Sequence, residues 1–255
     1  MAFRTRSIEA QTIRNELENR ILDLGASFRE RPWGLFVDID GTISDVVPVP
    51  EDAVVRPGCR LALRTLAGRL AAVVVVTGRD VRTARRMVAL DTVVYFGNHG
   101  LERWDRGAIA VAPEADGYPQ RIKEMARLLE ERLPLPGVYV EEKGLGISIH
   151  YRNAADTSGA EASIGNVIEE VGASQWLEPR QGKMLVDLRL RIAVNKGTVV
   201  RSIAREHGLW GAVVIGDDTT DVDAFRAARD LSTESDFTSV NVAVVGDETP
   251  DALLR

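Results

Sequence analysis

Short apolar runs rich in valine and isoleucine recur along this chain, and they constrain its fold more than any other feature. A strand that is apolar on both faces must be covered on both, which is typical of parallel sheets flanked by helices. Helical patterns separate several of the runs, and this alternation predicts an α/β fold with a doubly wound, Rossmann-like parallel sheet. The five runs are GLFVDI (34–39), AAVVVVT (71–77), DTVVYFG (91–97), GAVVIGD (211–217) and VNVAVVG (240–246).

The stretch between the third and the fourth run is too long for a single crossover, and its pattern of apolar and polar residues differs from that of the five runs. GLGISIHYR (144–152) and GKMLVDLRLR (182–191) alternate apolar and polar residues, as expected of strands with one solvated face. Helical patterns accompany them at 118–133 and 159–172. We therefore expect an inserted antiparallel α+β unit in this part of the chain.

These patterns predict three regions. The inserted unit, a cap domain, is expected at 107–192, and the α/β core is expected to combine 31–106 with 193–255. An N-terminal helical extension is expected at 1–30, where apolar residues are spaced along one helical face.

Charge and cysteine content exclude several classes of protein. The 255 residues carry 32 basic and 38 acidic side chains, a net charge of −6, which argues against a general binder of nucleic acid or anionic membranes. No apolar run approaches membrane-spanning length. Cys59 is the single cysteine, so no internal disulfide can form, and we expect a cytoplasmic location. The sequence leaves the oligomeric state open, with a monomer as the expectation.

Four polar clusters follow predicted parallel strands, at the sheet edge where open α/β folds bind ligands. Their carboxylates repel one another unless a divalent cation lies among them, and an all-oxygen site suits Mg²⁺ best. Alternatively, each acid only forms a turn or caps a helix. The clusters are Asp38/Asp40, Thr77-Gly78-Arg79, Gly97-Asn98-His99-Gly100 and Gly216-Asp217-Asp218-Thr219-Thr220-Asp221.

Asp38 and Asp40 lie two residues apart, so their side chains point to the same side of an extended backbone. One can act as a nucleophile while the other transfers a proton, and an aspartate nucleophile that forms an aspartyl phosphate is established chemistry. Phosphoryl transfer also needs amide donors and a cation. Gly41-Thr42 can supply the amides, and Lys196, at a predicted helix start, can supply the cation.

Four motifs in this order resemble those of the haloacid dehalogenase superfamily of phosphatases: DIDGT, VVVVTGR, Lys196 and GDDTTDVDAF. The resemblance implies a nucleophile at Asp38 and a general acid, then base, at Asp40. It also implies that Thr77 and Lys196 hold the phosphate, with Gly78 and Arg79 beside it. Mg²⁺ would bind the Asp38 carboxylate, the Asp40 backbone carbonyl and Asp217, with Asp218 and Asp221 bound or close by.

Within that superfamily the chain most resembles trehalose-6-phosphate phosphatases, through GNHGLE, TTDVDAF, EEKGLGISIHYR and GKMLVDLR. In that family the cap grips sugar hydroxyls with a Glu-x-Lys, an arginine and a Lys-x-x-x-Glu. This chain has an aspartate where the last glutamate is expected. His150 shares a strand face with Arg152, and His99 is expected to contact the leaving sugar or to brace its loop. The matching cap positions are Glu141, Lys143, Arg152, Lys183 and Asp187.

The resemblance implies a phosphoric monoester hydrolase that uses Mg²⁺ to convert trehalose 6-phosphate to trehalose and phosphate. The shorter side chain of Asp187 keeps two alternatives open: a phosphatase for another glycosyl phosphate (of the sucrose-phosphate or glycosyl-glycerate kind), or one for a trehalose-like pseudo-disaccharide phosphate. A solvated outer sheet face would also explain the charges of the cap strands. A further alternative is a catalytically silent domain that only binds sugar phosphates or a partner protein.

Overall fold

The computed structural model of this protein describes residues 31–47, 49–105, 107–182, 184–246 and 253. The helical extension predicted at 1–30 lies outside these residues. In chain order the strands are β1 (Trp33–Val37), β2 (Ala72–Val76), β3 (Val94–Gly97), β4 (Glu102–Asp105), β5 (Ala108–Val111), β6 (Tyr139–Glu142), β7 (Gly146–His150), β8 (Leu177–Gly182), β9 (Leu185–Leu190), β10 (Gly211–Gly216) and β11 (Thr238–Ala243). The α-helices are α1 (Pro57–Ala67), α2 (Val81–Val88), α3 (Tyr118–Arg132), α4 (Thr157–Glu170), α5 (Lys196–Glu206) and α6 (Thr219–Glu234).

A seven-stranded sheet has the order β11-β10-β1-β2-β3-β4-β5. The five strands predicted from apolar runs (β11, β10, β1, β2 and β3) pair in parallel. Helices cover both faces, as strand β2 shows. Its residues Ala72, Val74 and Val76 pack toward α5 and α6, whereas Val73 and Val75 pack toward α1 and α2. The predicted doubly wound α/β class is confirmed.

A hairpin of β4 and β5 extends this sheet beyond β3 in antiparallel pairing. The sequence patterns did not predict it, because β5 forms the edge of the sheet, β4 lies next to it, and no residue of either strand is fully buried. The predicted inserted unit began at 107, and the structure pairs Ala108–Val111 with the large sheet. The boundary of the unit stays a prediction.

The second sheet is antiparallel and has the order β6-β7-β9-β8. One of its faces forms a buried core with α3 and α4, in which Ile147, Ile149 and Leu188 contact the helix residues Ile122 and Ile164. The alternation of apolar and polar residues predicted this arrangement for β7 and β9. The opposite face carries the polar side chains and is turned toward the ligand-binding edge of the large sheet.

In the described part of the chain, no helix combines the length and the apolar character that a membrane crossing needs.

Candidate active site

The carboxyl ends of β1, β2, β3 and β10 meet at one edge of the large sheet, because these strands run parallel. Asp38 follows β1 and Asp217 follows β10, which pairs directly with β1. Thr77 follows β2, and its backbone N–H donates to the carbonyl of Phe96 on β3. The predicted polar clusters therefore share one edge, as the order of the strands required.

Lys196 is the buried cation of this edge. Its side chain is 2% exposed, and its Nζ lies 3.0 Å from Oδ2 of Asp38 and 2.8 Å from Oδ1 of Asp221. Asn195 caps the helix that begins at Lys196, accepting a hydrogen bond from the N–H of Thr198. Burial alone would lower the pKa of Lys196, but the charges of Asp38 and Asp221 outweigh it and raise that pKa. The lysine is therefore a fixed positive charge.

Asp38 is buried and has two different oxygens. Oδ2 meets Lys196, whereas Oδ1 is buried and has no hydrogen-bond partner. Burial raises the pKa of Asp38 to about 7 against the opposing charge of Lys196. A buried carboxylate oxygen without a donor is costly, so this oxygen is where a cation or an electrophile fits.

Asp217 is held by the loop after β1. Its Oδ1 accepts a hydrogen bond from the hydroxyl of Thr42 at 2.8 Å. Gly41 lies against its other oxygen, since a Cβ at Gly41, where φ is +80°, would lie 1.8 Å from Oδ2. Burial raises the pKa of Asp217 to about 6. The glycine of the DIDGT motif is thus required both by backbone conformation and by the close approach of Asp217.

The carboxylate groups of Asp38, Asp217 and Asp221 fit a cation site. Each offers one oxygen, and these oxygens lie within 4.8 Å of one another. Asp221 is already engaged, because one oxygen meets Lys196 and the other accepts from the N–H groups of Asp217 and Asp218. The orphan oxygen of Asp38 and the raised pKa values of Asp38 and Asp217 are what a cation between these two groups would relieve.

Asp218 does not join this group. Its carboxylate caps α6, accepting hydrogen bonds from the N–H and the hydroxyl of Thr219. The alternative that the acids only cap helices therefore describes Asp218. It does not describe Asp38 and Asp217, whose carboxylate oxygens lie within 4.8 Å of each other.

Asp40 forms a bidentate ion pair with Arg79. Nε and Nη2 of the guanidinium each lie 2.7 Å from an oxygen of Asp40, and this hydrogen bonding raises the pKa of Arg79. The sequence predicted Arg79 as a substrate ligand, and the structure turns its side chain to the carboxylate of Asp40 instead. Both residues remain partly exposed to the edge.

The loops after β2 and β3 pack closely around His99. A Cβ on Gly78 would lie 2.8 Å from the His99 ring, and the His99 N–H donates to the carbonyl of Thr77. His99 has a positive φ of 58° and a buried Nδ1 without a partner. Burial lowers its pKa well below the usual value, and the charge of Arg189 adds to this. His99 is thus a neutral imidazole that lines the cavity.

The open face of the second sheet brings four of the predicted sugar ligands together. Nε2 of His150 lies 2.8 Å from Oε2 of Glu141, and this hydrogen bond lowers the pKa of Glu141. Lys143 lies 3.8 Å from Glu141 and 3.6 Å from Asp187. Burial alone would raise the pKa of Asp187, but Lys143, together with hydrogen bonds from neighbouring side chains, lowers it. The face presents paired donors and acceptors.

The two other predicted sugar ligands are Lys183 and Arg152. Lys183 lies outside the described residues. Arg152 is exposed in the turn after β7 and does not line the described wall of the cavity.

Three residues of the site had no predicted role, although Asn98 belonged to one of the predicted polar clusters. Ser148 donates a hydrogen bond to Asp187, Arg189 lies 3.3 Å from Asp187, and the side-chain amide of Asn98 donates to the backbone carbonyl of Lys143 at 3.3 Å. The period of two that placed Asp187 on the open face also places Arg189 there, so the sequence contained that signal.

A cavity of about 190 Å³ lies between the two sheets. The large-sheet side contributes Gly78, His99 and Lys196, and the second sheet contributes Lys143 and Asp187. Because the cavity joins the buried lysine to the open face of the second sheet, one bound molecule can contact both.

Comparisons with known proteins identify a family and several relatives to which this chain is similar. The model of the family described as trehalose-phosphatase matches residues 36–252. An uncharacterized glycosyl hydrolase of Mycobacterium tuberculosis, Rv2006, is 35% identical over 85% of this chain and 16% of its own length. A trehalose-phosphate phosphatase of the same organism is 33% identical over 80% of this chain and 53% of its own length. The chain thus spans about half or less of the length of these relatives.

One solved structure, of a trehalose-6-phosphate phosphatase related protein, is similar with a TM-score of 0.66 and 26% sequence identity. The similarity covers 85% of this chain and 88% of that one. The likeness therefore includes both sheets.

Proposed function

The chain belongs to the trehalose-phosphatase family, and from this premise we propose that it hydrolyses trehalose 6-phosphate to trehalose and phosphate through an aspartyl phosphate. The resemblance read from the four motifs is confirmed at the level of the family. The observation that carries the proposed activity is the orphan oxygen of Asp38, which lies at the shared edge beside Lys196 and Asp217.

In the first step an oxygen of Asp38 attacks phosphorus, and the bond between phosphorus and the sugar oxygen breaks. Asp40, as a carboxylic acid, donates its proton to the departing sugar oxygen. In the second step a water molecule attacks the phosphorus of phospho-Asp38 while Asp40 accepts a proton from it. The bond between phosphorus and the Asp38 oxygen breaks and phosphate leaves, so Asp38 is again a carboxylate and Asp40 is again a carboxylic acid.

Lys196 and Thr77 hold the phosphoryl oxygens in this proposal. Lys196 is supported by its burial and its fixed charge, since a preorganised cation stabilises the charge that spreads over the phosphoryl group. Arg79 orients the Asp40 carboxylate through its bidentate pair. The backbone at Gly78, between Thr77 and Arg79 in the chain, lies against the ring of His99.

We propose Mg²⁺ as the cation, held by Asp38, the backbone carbonyl of Asp40 and Asp217. All of these ligands are oxygens, which suits Mg²⁺. When bound, the ion neutralises charge between the nucleophile and the phosphoryl group. Asp221 supports the site through Lys196 and the amides after β10, and Asp218 contributes at most through the cap of α6.

The antiparallel unit is proposed as the cap that holds the sugar. Glu141, Lys143, His150 and Asp187 offer donors and acceptors from a rigid sheet face, as a polyhydroxyl ligand needs. By the family resemblance Arg152 and Lys183 belong to the same set. His99 contacts the sugar next to the ester bond, because its ring lines the cavity between the phosphate site and the cap.

Another glycosyl phosphate remains the second candidate, because Asp187 is one methylene shorter than the family's glutamate and is tied to Ser148. A silent sugar-phosphate-binding domain is disfavoured, since such a domain could dispense with the buried lysine and the orphan carboxylate. We further propose that the protein acts in the cytoplasm on a small sugar phosphate, as a monomer.

The test is phosphate release from a panel of sugar phosphates, with Mg²⁺ and with a chelator. Trehalose 6-phosphate should have the highest kcat/KM, at least about tenfold above glucose 6-phosphate, which is the change in rate that about 1.4 kcal/mol of transition-state binding produces. Chelation should abolish turnover. Equal kcat/KM for trehalose 6-phosphate and glucose 6-phosphate would refute the substrate assignment, and no turnover of any ester would favour the silent domain.

A further inference from the structure

The open face of the second sheet is organised in rows that run across its four strands. Strand alternation turns every second residue of each strand to this face, and antiparallel pairing brings one residue of each strand into register. The row nearest the large sheet, called the inner row, is Lys143, Gly146, Arg189 and Glu178; the middle row is Glu141, Ser148, Asp187 and Arg180; the outer row is Tyr139, His150, Leu185 and Gly182.

The rows differ in their relation to the cavity. All four residues of the inner row line it, two residues of the middle row line it, and none of the outer row does. The Asn98 amide, at the end of β3, reaches the carbonyl of Lys143 in the inner row. The rows therefore lie at increasing distance from the phosphate site, in steps of two strand residues or roughly 7 Å.

The inner row contains a gap that part of a ligand can occupy. Gly146 has no side chain, so it leaves a gap between Lys143, which directly follows β6, and Arg189 on β9. A side chain at this position would be crowded, because a Cβ at Gly146 would lie 3.2 Å from the backbone carbonyl oxygen of Leu188. Arg189 is 29% exposed, and within the described part of the chain its guanidinium forms an ion pair with Asp187 that is long, at 3.3 Å. Its remaining N–H donors can therefore bind hydroxyl groups of a ligand in the gap.

The outer row ends in an aromatic platform. The ring of Tyr139 stacks on that of His150, with centroids 5.8 Å apart and an angle of 27° between the planes. Tyr139 is 61% exposed, so one face of this pair is open to a ligand. An aromatic ring with an apolar body and a polar tip suits a sugar ring, which has C–H groups on its faces and hydroxyl groups around its edge.

We propose that this sheet face recognises a disaccharide phosphate row by row. The inner row, through Arg189 and the gap at Gly146, binds the ring that carries the phosphate. The outer row, through Tyr139, binds the second ring, and the middle row contacts hydroxyl groups of both. The proposal rests on the proposed function and adds two specificity-determining residues, Arg189 and Tyr139, that the motifs did not indicate.

The test compares kcat/KM for trehalose 6-phosphate and glucose 6-phosphate in the variants R189Q and Y139A, with R189K and Y139F as conservative partners. R132Q serves as the matched control, because Arg132 is an exposed cap arginine on α3 paired with Glu170. R189Q should lower kcat/KM for both substrates about tenfold or more, as loss of a charged hydrogen bond does. R189K should recover part of that loss.

Y139A should lower kcat/KM for trehalose 6-phosphate at least about fivefold more than for glucose 6-phosphate, the size of one aromatic contact, and Y139F should retain the preference. The proposal is overturned if R189Q affects only the disaccharide, if Y139A affects both substrates alike or neither, or if R132Q reproduces either effect.

The ratio of kcat/KM for trehalose 6-phosphate to kcat/KM for glucose 6-phosphate in the wild type tests the proposed function separately. If the wild type prefers a different disaccharide phosphate, the substrate assignment fails and the same variants test the rows on that ester. If it prefers no disaccharide phosphate, the row assignment fails with it.

Discussion

At the residue scale, two chemically identical carboxyl groups, those of Asp38 and Asp40, lie in different surroundings. Asp38 is buried beside a fixed cation, whereas Asp40 is partly exposed and paired with Arg79. A nucleophile benefits from a dry, fixed position, and an acid–base group benefits from exchange of its proton with solvent. The different roles that we propose for the two aspartates of this short motif therefore follow from their different surroundings.

Asp40→Asn should slow hydrolysis of trehalose 6-phosphate by about 10²–10⁴-fold, the usual contribution of a general acid. The same variant should slow release of the nitrophenolate from p-nitrophenyl phosphate, the first step, by less than about tenfold, because that leaving group departs without a proton. Pre-steady-state release of the alcohol from each ester makes the comparison, since it isolates the first step from the second, in which Asp40 acts as the base with both esters. Asp45→Asn is the matched control, since Asp45 is an exposed aspartate of the same loop. Equal losses on the two esters would rule out the acid role.

At the element scale, the loop after β1 holds the cation site through one glycine. Gly41→Ala should weaken Mg²⁺ binding more than about tenfold, because the added Cβ would displace the Asp217 carboxylate. Gly107→Ala is the matched control, since Gly107 also has a positive φ, of +97°, with no atom near its Cβ position. Both variants should lose roughly 1–2 kcal/mol of stability to backbone strain.

Isothermal titration with Mg²⁺ and urea unfolding separate the two effects. Unchanged Mg²⁺ affinity in Gly41→Ala, relative to Gly107→Ala, would mean that Asp217 does not need its observed position.

The elements that the sequence predicted are those with a strong hydrophobic period. The buried strands and the alternating strands β7 and β9 were found, because burial on one or both faces leaves a pattern. The hairpin β4–β5 and the edge strand β8 were not. Strand β4 has no fully buried residue, whereas β5 and β8 lie at sheet edges and expose most of their residues, and β8 also contains Pro179.

The residues of the site were also predicted only where a local sequence pattern marks them. Residues at strand ends were predicted, whereas the pairing of Arg79 with Asp40, 39 residues apart, depends on side-chain geometry that no local pattern encodes.

At the scale of the whole molecule, the cation site couples stability to pH. Burial raises the pKa of Asp38 to about 7 and that of Asp217 to about 6 in the cation-free protein, from an ordinary value of 3.8. The folded state then binds more protons than the unfolded state between these values. Stability of the cation-free protein should therefore fall as pH rises from about 4 to about 7.

Mg²⁺ should consequently raise the melting temperature more at pH 8 than at pH 5, where protons compete for the same oxygens. Thermal unfolding with Mg²⁺ and with a chelator at both pH values measures this, and Asp38→Asn should shrink the difference. A stabilisation by Mg²⁺ that is equal at the two pH values, or larger at pH 5, would contradict the assignment of these carboxylates.

The most direct measurement is chemical trapping of the phosphorylated residue. The enzyme is quenched in acid during turnover of trehalose 6-phosphate, treated with borohydride to reduce an aspartyl phosphate to homoserine, and digested for mass spectrometry. We expect homoserine at Asp38 and none at Asp40 or Asp217. Full turnover with Asp38 unmodified, or with another residue reduced in its place, would contradict phosphoryl transfer to Asp38.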